Sequence, residues 1–225
     1  MELLRQAQAR RAPNAIGTRT LAVALVAGAA LLAVTWALVP KTATGADLAA
    51  FDVLAATRGS LVAHLIRAIS IVGPALLALV SFVIAVCLVR GGRIAEAAVI
   101  AIGGPATLLA AHLAKSIALR PRPRGELIHA GGHSFPSTDA ALSVLVIVLA
   151  IALEGGAFRG ASRGRLVAGA VLVALVTGIL LIVVRTHYLT DVLAGWGLGT
   201  AVFAACGLLA VATCTVTAGR SRHGG

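Results

Sequence analysis

The sequence predicts an all-α, polytopic membrane protein with six transmembrane helices in one bundle. Three observations predict it. Hydrophobic residues make up 59% of the chain and charged residues only 12%, too little polar surface for a water-soluble domain of this length. The apolar residues fall in long blocks, and about 20 in a row cross a bilayer as a helix. No strand-like alternation runs through those blocks, which favours a bundle over a barrel.

The spans follow in order. The first covers 20–39, behind Arg10, Arg11 and Arg19. Those arginines also fit the start of a secretory signal. However, the apolar stretch exceeds the roughly 7–15 residues of a signal core, and no small-x-small cleavage site follows. An uncleaved first helix is expected. The second span, 69–89, is marked by length alone. The third, 94–117, still contains Lys115; Pro121 and Pro123 then stop the helix and stiffen an extended exit. The fourth, 139–155, opens behind Ser137, Thr138 and Asp139, which are strong N-cap residues. The fifth covers 166–185. The sixth, 191–213, carries Gly195 and Gly199, a small-xxx-small pair suited to close helix packing. Residues 20–213 thus form one membrane domain, between short polar tails at 1–19 and 214–225.

The net charge of +11 invites a nucleic-acid reading. The basic residues are instead distributed between membrane loops, so no nucleic-acid partner is expected. With the N-terminus cytoplasmic, 11 of the 19 Lys and Arg lie on the cytoplasmic side. That is the sign expected of a cell-membrane protein with both termini inside. Much of the outer basic charge is concentrated at 115–124, which a topology rule leaves unexplained. Cys87, Cys206 and Cys214 lie in or at the edge of the apolar spans and give neither a metal-ligand spacing nor an obvious disulfide pair. No metal or cofactor is expected.

Three polar clusters stand at span ends. The first, KSIALRPRPRGE at 115–126, places four cations within ten residues. It reads either as an anion site or as anchors reaching lipid headgroups. The second is Pro136-Ser137-Thr138-Asp139. Capping alone explains it, but a helix N-terminus also offers free N–H groups and a positive dipole end to a phosphate. The third is RTHYLTD at 185–191, where His187 and Asp191 are four residues apart and share a helical face. They read either as an interfacial histidine beside a capping aspartate or as an oriented imidazole with one nitrogen left free to react. On the six-span topology all three clusters meet at one membrane face. Cations, a helix N-terminus and a His–Asp pair together can bind and attack a phosphoryl group.

These residues resemble the type 2 phosphatidic acid phosphatase superfamily, membrane lipid phosphatases related to vanadium haloperoxidases. Its pattern is K-x6-R-P, then P-S-G-H, then S-R-x5-H-x3-D. The first part is matched by Lys115, Arg122 and Pro123, and the second half of the third by His187 and Asp191. The resemblance implies that His187 is the nucleophile and forms a phosphohistidine. Asp191 would orient and activate it, and Lys115, Arg122 and Ser137 would hold the phosphate oxygens. Two positions depart. Asp139 stands where the family has its second-motif histidine, which acts as general acid. Leu180 and Leu181 stand where it has Ser-Arg, and Arg185 is a candidate replacement for that arginine.

The expected function is therefore metal-independent hydrolysis of a membrane lipid phosphate or diphosphate at the extracytoplasmic face. Asp139 leaves three accounts: it is a protonated acid; a good leaving group makes a strong acid unnecessary; or hydrolysis is lost and the fold only binds a lipid phosphate. The second favours a polyprenyl diphosphate, whose leaving phosphate has a second pKa of about 6. His133, in the same outer loop, is a further candidate helper. Transfer of the phosphoryl group to another acceptor is also open. A transporter would place charged residues deep in several spans, but here only Glu96, near an end, and His112, one turn from Lys115, interrupt the apolar stretches.

Overall fold

The computed structural model describes residues 17–39, 42–54, 61–154 and 164–223. Most of the expected N-terminal tail lies outside them, as do Lys41, Arg58, Arg159 and Arg163 of the charge count. Among the described residues there are seven α-helices: α1 (Thr18–Leu38), α2 (Gly45–Leu54), α3 (Leu61–Arg90), α4 (Ile94–Ala118), α5 (Thr138–Glu154), α6 (Arg165–Val183) and α7 (Leu189–His223). Among the described residues, five stretches are long and apolar enough to cross a membrane: Thr18–Leu38, Val72–Arg90, Ile94–Ala118, Arg165–Val183 and Leu189–Cys214. The remaining expected span, the fourth at 139–155, is α5. At 17 residues it reaches about 25 Å, the short end of what a bilayer crossing needs. The chain is a multi-pass helical membrane protein.

Helix α5 can be short because it is the bundle's inner helix. It packs on α4, α6 and α7 and buries Ala140, Ala141, Ser143, Val144, Leu145, Leu149, Ala150 and Ala152. Much of its surface meets protein rather than lipid. By contrast α3 exposes Val72, Leu76, Leu79, Val80, Phe82 and Val83, as a lipid-facing helix should.

Small residues let the backbones approach, since lipid tails give helices no hydrophobic reason to associate. A Cβ on Gly28 of α1 would lie 2.7 Å from the Ala201 nitrogen and the Gly197 oxygen of α7. A Cβ on Gly195 would meet the Ser137 carbonyl oxygen, and one on Gly199 the Ala141 carbonyl oxygen. The Gly195–Gly199 pair is therefore the seam between α7 and α5. Two apolar clusters fill the bundle. One comprises Leu88, Ala97, Ile100, Val144, Leu145, Leu149, Ala152 and Phe203. The other, Phe51, Ala140, Leu181, Ile182 and Val192, lies under the polar end.

Two elements differ from the sequence expectation. Helix α7 continues to His223, past the 213 boundary expected for the last span. Helix α2 was not expected at all. It starts with a reciprocal cap: the Asp47 N–H donates to Thr44 Oγ1 at 3.2 Å, and the Thr44 N–H to Asp47 Oδ2 at 2.9 Å. The sequence carries this signal as Thr44-Gly45-Ala46-Asp47, a short capping-box pattern.

Candidate active site

The polar end of the bundle is assembled around the connection from α4 to α5. Leu119 turns the chain out of α4 in the left-handed region, φ 50°, and its N–H caps the Lys115 carbonyl at 3.1 Å. The connection then folds back over its own helix. The Lys115 ammonium donates to the His133 carbonyl at 2.9 Å and to the Ser134 carbonyl at 3.3 Å. An ammonium has three donors, so one remains for a ligand. The Ser134 N–H donates to the Arg120 carbonyl at 2.9 Å and closes the turn.

Ser137 is fully buried and is the N-cap of α5. Its Oγ accepts the Ala140 N–H at 3.3 Å, and its own N–H donates to the Asp191 carbonyl at 2.9 Å. Ser137 thus ties the start of α5 to the start of α7. Thr138 and Asp139 follow in the first turn, where a helix leaves N–H groups without intrahelical partners. The Asp139 side chain is exposed.

His187 and Asp191 are buried, at 3% and 0% exposure. His187 Nδ1 lies 3.6 Å from Asp191 Oδ2, an electrostatic contact longer than a hydrogen bond. Its Nε2 lies 3.3 Å from Arg122 Nη1. A guanidinium can only donate, so Nε2 carries the lone pair and the proton belongs on Nδ1, facing Asp191. Burial pushes the His187 pKa below its ordinary value; Asp191 opposes that shift, and Lys115 and Arg122 add to it. Burial thus favours the neutral ring, with the Nε2 lone pair beside a cation.

Arg122 is held on three sides. It donates to the Thr186 carbonyl at 2.7 Å and to the Gly131 carbonyl at 2.9 Å, besides meeting His187. Burial lowers its pKa, while the carboxylates of Glu126, Asp139 and Asp191 oppose the change. Asp139 therefore stands near enough to act electrostatically on this cation.

The structure thus connects Lys115, Arg122, Ser137, His187 and Asp191 through one loop and two helix ends. It places two other candidates at the margin. The Arg185 guanidinium lies over the Phe51 ring, 5.4 Å from its centroid, and faces Gly125. Its backbone takes φ 55°. Leu181, at the family's arginine position, is buried in the apolar cluster with Phe51, Ala140, Ile182 and Val192. His133 is half-buried and meets Lys115 through its carbonyl.

The cation cluster needs one correction. Arg120 lies within the four-cation stretch at 115–124, but it is 1% exposed and is consumed by buried carboxylates. It donates to Asp191 Oδ1 at 2.6 Å and to Asp47 Oδ2 at 2.8 Å. A guanidinium bound to two carboxylates has little left for a phosphate. Asp47 and Thr190 are site-supporting residues that the sequence pattern did not reveal. The cap signal at Thr44–Asp47 could have located a helix there, but not its contact with the site.

Comparison with known proteins bears on the fold and the family. The chain's fold matches the crystal structure of a transmembrane PAP2-type phosphatidylglycerolphosphate phosphatase from Bacillus subtilis. The TM-score is 0.68 at 21% sequence identity, covering 80% of this chain and 94% of that one. A search of curated proteins gives no match. The PAP2 superfamily model matches residues 75–213, which include every motif position discussed above. The chain belongs to the PAP2 superfamily.

Proposed function

We propose that this protein is a metal-independent lipid phosphatase whose nucleophile is Nε2 of His187. The observation that carries the reading is the orientation of that ring. Nδ1 faces the buried Asp191, and Nε2 keeps its lone pair on the side of Arg122, whose N–H it accepts until a phosphate draws that cation away. A phosphate drawn to Arg122 and to the spare donor of Lys115 would bring its phosphorus to Nε2. The N-terminus of α5 would supply further N–H groups, with Ser137 fixing its place.

In the first step the Nε2 lone pair forms an N–P bond and the bond from phosphorus to the leaving oxygen breaks. Asp191 stabilises the positive ring as it forms. In the second step water attacks phosphorus, the N–P bond breaks, and inorganic phosphate leaves with its proton lost to solvent or to Asp139. The first step needs a proton on the leaving oxygen only if that oxygen is strongly basic. An exposed carboxyl group at position 139 suits a good leaving group, so a polyprenyl diphosphate is favoured over a phosphate monoester. The site opens at the extracytoplasmic face, with both termini in the cytoplasm. The lipid tail stays in the bilayer while the headgroup enters between α4, α5 and α7.

A second reading, a binder of lipid phosphates without turnover, draws on two features. Asp139 replaces the family's acid, and Leu181 leaves no arginine at the third motif. The test is phosphate release by purified protein in detergent with EDTA present. Polyprenyl diphosphate, phosphatidic acid and phosphatidylglycerol phosphate would be compared, each against His187→Ala. Release that disappears in the variant, by a factor of roughly 10³ or more, is expected. Equal release by both proteins would overturn the nucleophile assignment. No release from any lipid, with retained binding of the lipid, would favour the second reading.

A further inference from the structure

Behind the reactive pair lies a buried ion cluster reaching outside the family's matched region. Asp47 sits on α2, ahead of residues 75–213. Its carboxylate is saturated. Oδ1 accepts the Thr190 N–H at 2.9 Å and the Thr190 hydroxyl at 2.9 Å; Oδ2 accepts Arg120 Nη2 at 2.8 Å and the Thr44 N–H at 2.9 Å. Arg120 then spans to Asp191 through Nη1, at 2.6 Å, and to the Thr190 hydroxyl at 2.7 Å. Its guanidinium carbon is 4.1 Å from the centroid of the Tyr188 ring. Asp47, Arg120 and Asp191 are each at most 1% exposed.

Burying such a cluster is costly, and an apolar replacement is often at least as stable. Stability alone therefore does not explain it. Its geometry has a direct effect on Asp191. Arg120 occupies Oδ1, and the Tyr188 N–H occupies Oδ2 at 2.9 Å. The carboxylate cannot rotate, and its remaining open side is the one toward His187 Nδ1. Charge matters equally. Arg120 alone would cancel Asp191, but Asp47 cancels Arg120, so the triad keeps one net negative charge beside the imidazole.

We propose that Asp47 and Arg120 are positioning residues for the His187–Asp191 pair. Arg120 sets the direction of the Asp191 carboxylate, and Asp47 restores the negative charge that Arg120 removes. This rests on the phosphatase reading for its catalytic consequence, but not for the electrostatic one. The other charged groups facing His187 are Lys115 from α4 and Arg122 from the α4–α5 connection. Both stay unchanged in the variants below.

The experiment is a pH titration of the His187 ring by NMR. The protein is labelled with 15N-histidine in detergent, and the signal is assigned by its loss in His187→Ala. Asp47→Asn leaves the cluster less negative and should lower the His187 pKa by roughly one unit. Arg120→Gln leaves it more negative and should raise the pKa by a similar amount. The double variant should return it near the starting value. A purely structural role would not give opposite shifts from two members of one cluster. Identical titration in all variants, or shifts in the same direction from both single variants, would overturn the proposal. If the neutralising variants do not fold, Asp47→Glu and Arg120→Lys keep the charges but disturb the geometry. They should lower kcat at least tenfold with KM little changed, on whichever of phosphatidic acid or polyprenyl diphosphate the wild type hydrolyses. Unchanged kcat would also overturn it. Opposite pKa shifts in a protein that releases no phosphate would sink the phosphatase reading and leave the coupling standing.

Discussion

Replacing Gly195 with alanine tests whether the α5–α7 seam sets the reactive geometry. The new methyl would meet the Ser137 carbonyl oxygen and lie 2.9 Å from Ala140 Cβ and 3.2 Å from the Ala141 nitrogen. Comfortable carbon–carbon contact is about 3.5–4.0 Å, so α7 must move off α5 by about 1 Å. The crowded atoms are backbone and a methyl on a fully buried helix start, which cannot swing aside. Overpacking of this kind costs roughly 1–3 kcal/mol. The displacement also reaches the chemistry. Gly195 is one turn from Asp191, whose carbonyl accepts the Ser137 N–H at 2.9 Å. Parting the helices separates the start of α5 from the His187–Asp191 pair. A 1 Å misplacement of reacting groups costs roughly 10²-fold in rate. The assay is kcat for phosphate release together with thermal unfolding in detergent. Gly169→Ala is the control, because a Cβ there meets nothing within 4 Å; it should be neutral or stabilising by up to about 1 kcal/mol. If Gly195→Ala behaves like Gly169→Ala in both measurements, the seam does not position the site.

Two further outcomes follow from the same geometry. On the proposed mechanism His187 attacks as the neutral ring, and burial holds its pKa below the ordinary value of about 6.5. Activity should therefore fall on the acid side as the pH drops through that lowered value. The sign for stability is the same: the unfolded chain binds the proton more readily, so stability is complete above about pH 6.5 and declines below it. An acid limb above pH 6.5 would contradict the burial argument. Asp139→His introduces the acid common to the family at an exposed position in the first turn of α5. Monoester hydrolysis should rise relative to diphosphate hydrolysis, and a fall in both would show that Asp139 has a role of its own.

The sequence by itself determined the membrane architecture, because a run of apolar side chains has few alternatives to a lipid-spanning helix. The expected third span, 94–117, differs by one residue from α4, Ile94–Ala118, since Pro121 and Pro123 leave the helix little room to continue. His187 and Asp191 were legible as a pair because their i,i+4 spacing keeps them together on any helical turn. Lys115, Arg122 and Ser137 were legible as motif positions. Only the tertiary structure decided which cation stands beside His187 and which is buried among carboxylates. Arg120 and Arg122 are neighbours in one RPRP stretch, yet Arg122 reaches His187 while Arg120 is drawn into the interior by Asp47. That carboxylate is 73 residues away in the chain, and no local spacing encodes such a contact. The placement of α2 against the start of α7 creates it. The same holds for Arg185, two residues before His187 in sequence but turned onto Phe51 by the left-handed backbone after α6. Local periodicity fixes which residues share a helix face; the packing of distant helices fixes which charges meet.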